Sequence, residues 1–103
     1  MAYQKYLIGR NIYSTRHAAS LYLGLNERTL DKIKACRLNG EQEHAVIVAL
    51  KSGYALYGQP FFVGGHCYVS RTHFADSLYL KRSVVDYYLN KGYNLSQIAA
   101  KFV

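Results

Sequence analysis

Two stretches of the chain alternate apolar and polar positions around a glycine: YLIGRNIY at residues 6–13 and FFVGGHCYV at residues 61–69. Short β-rich runs flanking a Gly-containing turn predict a hairpin at each place. Thr15 or Ser70 follows as the expected cap of a helix that runs through about Leu23 or Leu78. A short turn then leads into a second helix starting near Asn26 or Lys81. Third helical stretches are expected from Glu41 to Lys51 and from Leu95 to Phe102. Between the halves, SGYALYGQP holds two glycines and the only proline, and reads as a connector.

The pattern thus occurs twice, and its register has to be found. The tetrapeptide SLYL begins at Ser20 and again at Ser77, which suggests a displacement of 57. That displacement sets Leu30 against Tyr87 and Ile33 against Asn90, turning core positions polar. A displacement of 55 needs no gap and matches Gly9 with Gly64, Tyr13 with Tyr68, Arg16 with Arg71, Leu23 with Leu78 and Asp31 with Asp86. It continues through Asn39/Asn94, Gln42/Gln97 and Val48/Val103, and keeps apolar character at Ile8/Val63, Leu30/Val85 and Ile33/Tyr88. SLYL is therefore a coincidence, two positions out of step. The expected fold is α+β, mostly helical, with two repeated units of hairpin, helix-turn-helix and third helix. Their bounds are residues 1–52 and 61–103, with a connector over 53–60, and one compact body is expected because neither unit alone has much core.

Two helices joined by a turn of three or four residues need a small residue where they cross, an apolar residue three positions on, and apolar residues three apart on the second helix. The first unit supplies Ser20, Leu23, Gly24 at the turn, Leu25, Leu30 and Ile33. The second supplies Ala75, Leu78, Tyr79, Leu80, Val85 and Tyr88. Tyr79 stands where the first copy has its turn glycine, which predicts strain or a different turn there.

Charge changes the picture next. Thirteen Lys and Arg against six Asp and Glu give +7 at neutral pH. Both halves are basic, with eight cations to four acids before residue 56 and five to two after it. Such an excess favours polyanionic partners, nucleic acid first. The face left exposed on the second helices is then the candidate contact surface for double-stranded DNA: Asn26, Glu27, Arg28 and Lys32 in the first unit, and Lys81, Arg82, Ser83 and Tyr87 in the second. Arg and Lys bond guanine edges or phosphates, Asn bonds an adenine edge unless spent on capping, and Tyr stacks or touches a phosphate. Glu27, Asp31 and Asp86 oppose DNA unless each meets a cytosine amino group or a neighbouring base-contacting arginine.

This arrangement resembles the nuclease-associated modular DNA-binding repeats that accompany phage and intron-encoded homing nucleases. Those repeats read as a short β segment, Ser-x-x-x-Ala-Ala, a turn, then Thr-Val or Thr-Leu. Similar residues here are Thr15 to Ser20 with Thr29-Leu30, and Ser70 to Ala75 with Val84-Val85. Lys91-Gly92-Tyr93-Asn94-Leu95 looks like the Arg-Gly-Trp-Ser-Leu segment that ends many such units. The resemblance covers most of the chain. It implies a small DNA-binding regulator or accessory factor of a mobile element, without the nuclease domain.

Other classes find less support. No apolar run exceeds Ala45 to Leu50, too short for a membrane span, and the start MAYQKYLIGRNIY lacks a basic segment followed by a hydrophobic one. Cytoplasmic residence is the expectation. Cys36 and Cys67 are expected as small hydrophobes, and His66, Cys67 and His73 match no zinc spacing. Neither GxxxxGK[ST] nor GxGxxG occurs and the few acids form no catalytic pair, so neither enzyme activity nor a cofactor is expected. Eleven tyrosines keep open a second class, an inhibitor or adaptor that binds a protein or a ribonucleoprotein complex. Two helix-turn-helices in one chain allow a monomer with paired DNA contacts as well as a homodimer.

Overall fold

A computed structural model describes residues 5–102. Residues 1–4 and Val103, and with Val103 its match to Val48, lie outside the described residues. The elements run β1 (Tyr6–Ile8), β2 (Asn11–Tyr13), α1 (Arg16–Leu23), α2 (Glu27–Ala35), α3 (Gly40–Lys51), β3 (Phe61–Val63), β4 (His66–Tyr68), α4 (Arg71–Ser77), α5 (Arg82–Asn90) and α6 (Leu95–Phe102). The described chain is α+β and mostly helical. Each of the first five elements has a counterpart whose start lies at the displacement of 55, from Tyr6 and Phe61 to Gly40 and Leu95.

Local chemistry accounts for these boundaries. β1 and β2 pair antiparallel, with Tyr6 opposite Tyr13 and Ile8 opposite Asn11. β3 and β4 do the same, with Phe61 opposite Tyr68 and Val63 opposite His66. Both turn residues are left-handed in each hairpin, at φ 60° and 75° for Gly9 and Arg10 and 58° and 81° for Gly64 and Gly65. That conformation matches the natural twist of the strands. Gly9 is required on a second count, because a Cβ there would lie 2.8 Å from Ile47 Cδ1. The Thr15 hydroxyl oxygen accepts from the Ala18 amide, and that of Ser70 from the His73 amide, so α1 and α4 start where the hydroxyls fall. Asn39 with Gln42, and Asn94 with Gln97, exchange reciprocal side-chain-to-backbone bonds that start the third helices.

Two clusters of buried side chains lie along a body 57 × 21 × 20 Å in extent. The first gathers Ile8, Ala19, Leu23, Leu30, Ile33 and Val46; the second gathers Val63, Phe74, Ala75, Val85 and Ile98. They are not independent. Leu56 of the connector and Val69, which follows β4, are buried in the first cluster, and α3 packs on β4. The connector is accordingly held at Leu56 and Pro60, both buried, rather than strung through solvent.

The helix pairs close as the apolar spacing predicts. Leu30 and Val85 are completely buried. Ser20 and Ala75, the small residues, each offer the backbone oxygen that receives the amide of the turn residue, Leu25 at 3.2 Å and Leu80 at 2.9 Å. Gly24 ends α1 at φ 70°. Tyr79, its counterpart, takes φ 59° despite its side chain, so the turn is kept and the expected strain is present.

Candidate nucleic-acid interface

The second helices carry Arg28, Lys32, Lys34 and Arg82, and arginines of the first helices decide which of the acids beside them are neutralised. Arg16 of α1 reaches across to Asp31 of α2 at 2.9 Å and to Glu27 at 3.5 Å. Its guanidinium is held in the charged form, first by the hydrogen bond to Asp31 and then by the charges of Asp31 and Glu27. Arg71 of α4 makes the equivalent reach to Asp86 of α5 at 3.3 Å. Arg82 approaches the same carboxylate at 3.7 Å. The three acids that would oppose a phosphate backbone are therefore each answered by an arginine within the protein.

Around these pairs the sequence-predicted residues divide. Arg28, Lys32 and Lys81 are exposed and make no ion pair among the described residues. Arg28 and Lys32 are one turn apart on α2 and present a continuous basic stripe. Ser83 and Tyr87 hold the corresponding places on α5 and are exposed. The Lys91 ammonium lies 4.8 Å from the centre of the Tyr87 ring, which adds positive charge beside it. Lys81 precedes α5 as its cap residue but makes no capping bond with its side chain. Arg82 keeps part of its guanidinium free, since it and Arg71 share one carboxylate.

Two of the expected contacts are otherwise engaged. The Asn26 side-chain oxygen caps α2, accepting from the amide and the hydroxyl of Thr29, both at 2.8 Å. Capping is the condition under which an adenine contact by Asn26 lapses, because the acceptor oxygen is already used. Glu27 is half-buried against Arg16 and lies 3.9 Å from the His17 ring nitrogen, so its place is in the charge pairing rather than at a base edge.

Sequence alone does not single out Arg16 and Arg71 as functional. A signal is there nonetheless, since both members of each pair, Arg16/Asp31 and Arg71/Asp86, are matched at the displacement of 55. What sequence does not supply is that α1 and α2 cross so as to bring positions 15 apart into contact. The connector carries no such signal. Tyr57 and Gln59 line two adjoining hollows, one walled by Lys32 and Ala35 of α2, the other by Arg71, Thr72 and Arg82 at the starts of α4 and α5.

Elsewhere the polar groups serve the fold. Glu43, buried on α3, accepts from the Gly9 amide at 3.2 Å and pairs with Lys34 at 3.3 Å. Lys34 also donates to the Leu7 carbonyl at 2.8 Å. Burial raises the thiol pKa of both Cys36 and Cys67. No helix among the described residues is long and apolar enough to cross a membrane. No protein-family model, curated protein or solved structure matches the chain.

Proposed function

We propose that the protein binds double-stranded DNA without catalysing a reaction, presenting α2 and α5 to the major groove, as a small regulator or accessory factor of a mobile element. The observation that carries this reading is the pairing of Asp31 and Asp86 back to Arg16 and Arg71. Neutralised from behind, the second helices offer Arg28, Lys32 and Lys81 to a partner with no uncompensated acid beside them. Arg28, Ser83 and Lys81 lie in or before the first turn of their helices, the part of a recognition helix that reaches base edges first.

Fluorescence anisotropy against duplex DNA at two salt concentrations, about 50 and 200 mM, tests the reading. Affinity of the parent should fall steeply at the higher salt, because each neutralised phosphate releases a counterion. Arg28→Ala/Lys81→Ala should keep the fold, both residues being exposed, and weaken binding by about 1–3 kcal/mol for each base edge no longer bonded. Unchanged affinity in that variant would remove DNA as the partner of this surface.

A second reading rests on a different surface. Ile12, Leu21 and Tyr22 are 62%, 71% and 78% exposed, where the matching positions of the second half hold Cys67, Asp76 and Ser77. Exposed apolar side chains favour a protein or ribonucleoprotein partner. Binding through them would resist salt, and Leu21→Ser/Tyr22→Ser would abolish it while Arg28→Ala/Lys81→Ala would not.

A further inference from the structure

We infer that the connector is itself a DNA-contacting element: Tyr57 and Gln59 touch the sugar–phosphate backbone of the duplex between the segments met by α2 and α5. The inference rests on the DNA-binding reading and carries it to residues that belong to neither helix pair.

Position comes first. Tyr57 and Gln59 face Lys32 of α2 on one side and Arg71, Thr72 and Arg82 on the other, so the connector tip bridges the second helix of one unit and the start of the second helix of the next. A duplex that met α2 at Lys32 and α5 at Arg82 would run beside that tip. Between two major-groove segments it presents backbone and minor groove, where protein contacts fall mostly on phosphate and sugar.

Preorganisation comes second. Leu56 and Pro60 are buried on either side of the tip. The Cys36 thiol donates to the Lys32 carbonyl at 3.2 Å with the Gly58 carbonyl 3.7 Å from the same sulfur, and Gly58 turns the chain at φ 71°. The intervening Tyr57, Gly58 and Gln59 are exposed between these two buried anchors, which keeps short the segment that binding has to order. Tyr57 is 80% exposed, which leaves its ring and hydroxyl available to a partner.

Charge comes third. From His44 to Ala75 the chain contains no Asp or Glu, so nothing in or beside the connector's own sequence repels phosphate. Asp76, the first acid beyond, is bonded to the Tyr54 hydroxyl at 2.6 Å. Arg71 and Arg82 share the one carboxylate of Asp86, leaving an excess positive charge at the edge of the hollow. The Tyr57 hydroxyl and the Gln59 amide then supply neutral donors to an anion that Lys32 and Arg82 attract.

The experiment compares parent, Tyr57→Ala/Gln59→Ala, Tyr57→Phe, Arg82→Ala and Tyr22→Ala by fluorescence anisotropy, on duplexes of about three helical turns and differing sequence. Tyr57→Ala/Gln59→Ala should melt like the parent and bind about tenfold more weakly on every sequence, with the salt slope unchanged because neither side chain is charged. Tyr57→Phe should show part of that loss, and Arg82→Ala should lower the salt slope by about one unit. Tyr22→Ala, an exposed tyrosine remote from the connector in sequence, should bind as the parent does. Hydroxyl-radical footprints should lose the centre of the protected region in Tyr57→Ala/Gln59→Ala and keep its flanks. A parent that binds duplex and a Tyr57→Ala/Gln59→Ala protein that binds it equally well would overturn the connector contact alone. A parent that does not bind duplex at all would overturn the DNA reading and this inference together.

Discussion

At the scale of the residue, three left-handed positions hold glycine in one half and a larger side chain in the other: Gly65 against Arg10, Gly24 against Tyr79, and Gly92 against Arg37. The turn geometry is met each time, but a side chain at positive φ costs about 1 kcal/mol that glycine does not. Tyr79 is 97% exposed, so its ring contributes almost no packing to offset that cost. Tyr79→Gly is therefore expected to raise stability by about 0.5–1 kcal/mol in urea denaturation, while Gly24→Ala lowers it by about as much or more. A destabilised Tyr79→Gly protein would mean that the ring's own interactions outweigh the strain. His73 poses a second residue-scale test. Burial lowers its pKa, with Asp76 opposing, and its Nδ1 accepts from the Val69 amide at 3.1 Å, which requires the neutral ring. The folded pKa lies below the unfolded one, so the unfolded chain binds the proton more readily. The contribution is present above the ordinary histidine value of about 6.5 and is lost as pH falls through the window below it. Melting temperature should drop between neutral pH and about pH 5, and His73→Gln, measured at both, should show a smaller drop.

At the scale of the element, α3 and α6 occupy equivalent places but join their hairpins by different chemistry. Glu43 on α3 binds the Gly9 amide and Lys34, whereas the matching positions of the second half are Ile98 and Leu89, both in the apolar second cluster. A buried ion pair is replaceable by apolar residues of similar size, but removing one partner strands the other. Glu43→Ala should accordingly cost about 2 kcal/mol or more, leaving the Gly9 amide without its acceptor. Lys34→Leu/Glu43→Ile, which copies the second half, should recover most of that loss. A denaturation cycle over the single and double variants gives the coupling, and a double variant no better than the worse single one would contradict the equivalence. The helix pairs admit a harsher test. Leu30→Asp places a charge at a completely buried site and should cost about 3 kcal/mol or more; a cooperatively melting protein of parental stability would refute the crossing of α1 on α2.

At the scale of the whole molecule, the two halves depend on one another unequally. The first cluster borrows Leu56 and Val69 from beyond α3, and α3 rests on β4. A polypeptide of residues 1–55 lacks both side chains and that support. Chains of this length bury little surface in any case, so it should show no cooperative thermal transition by circular dichroism where the full chain shows one. A sharp transition in the fragment would make the first unit self-sufficient. The same mutual packing fixes α2, the connector and α5 with respect to each other, as the proposed contact with one rigid duplex requires.

Much of this is legible along the chain because it depends on near neighbours. Hairpin turns follow from Gly9 and Gly64, helix starts from Thr15, Ser70, Asn39 and Asn94, and core faces from the spacing of Leu30, Ile33 and Val85, each governed by residues within one turn. The recurrence of element starts is equally readable, since apolar positions have to recur wherever the same packing recurs. Tertiary structure alone decided which charges are spent and which are offered. Arg16 meets Asp31 and Arg71 meets Asp86 only because the helices cross, and Glu27 is drawn into the first of those pairs. It alone decided, too, that the connector stands between the second helices, because Leu56 is buried in a cluster that also takes Val69 from the second half. Pattern reports which face of an element is apolar; what that face meets, and which polar groups are brought within reach when it does, depends on residues far away in sequence.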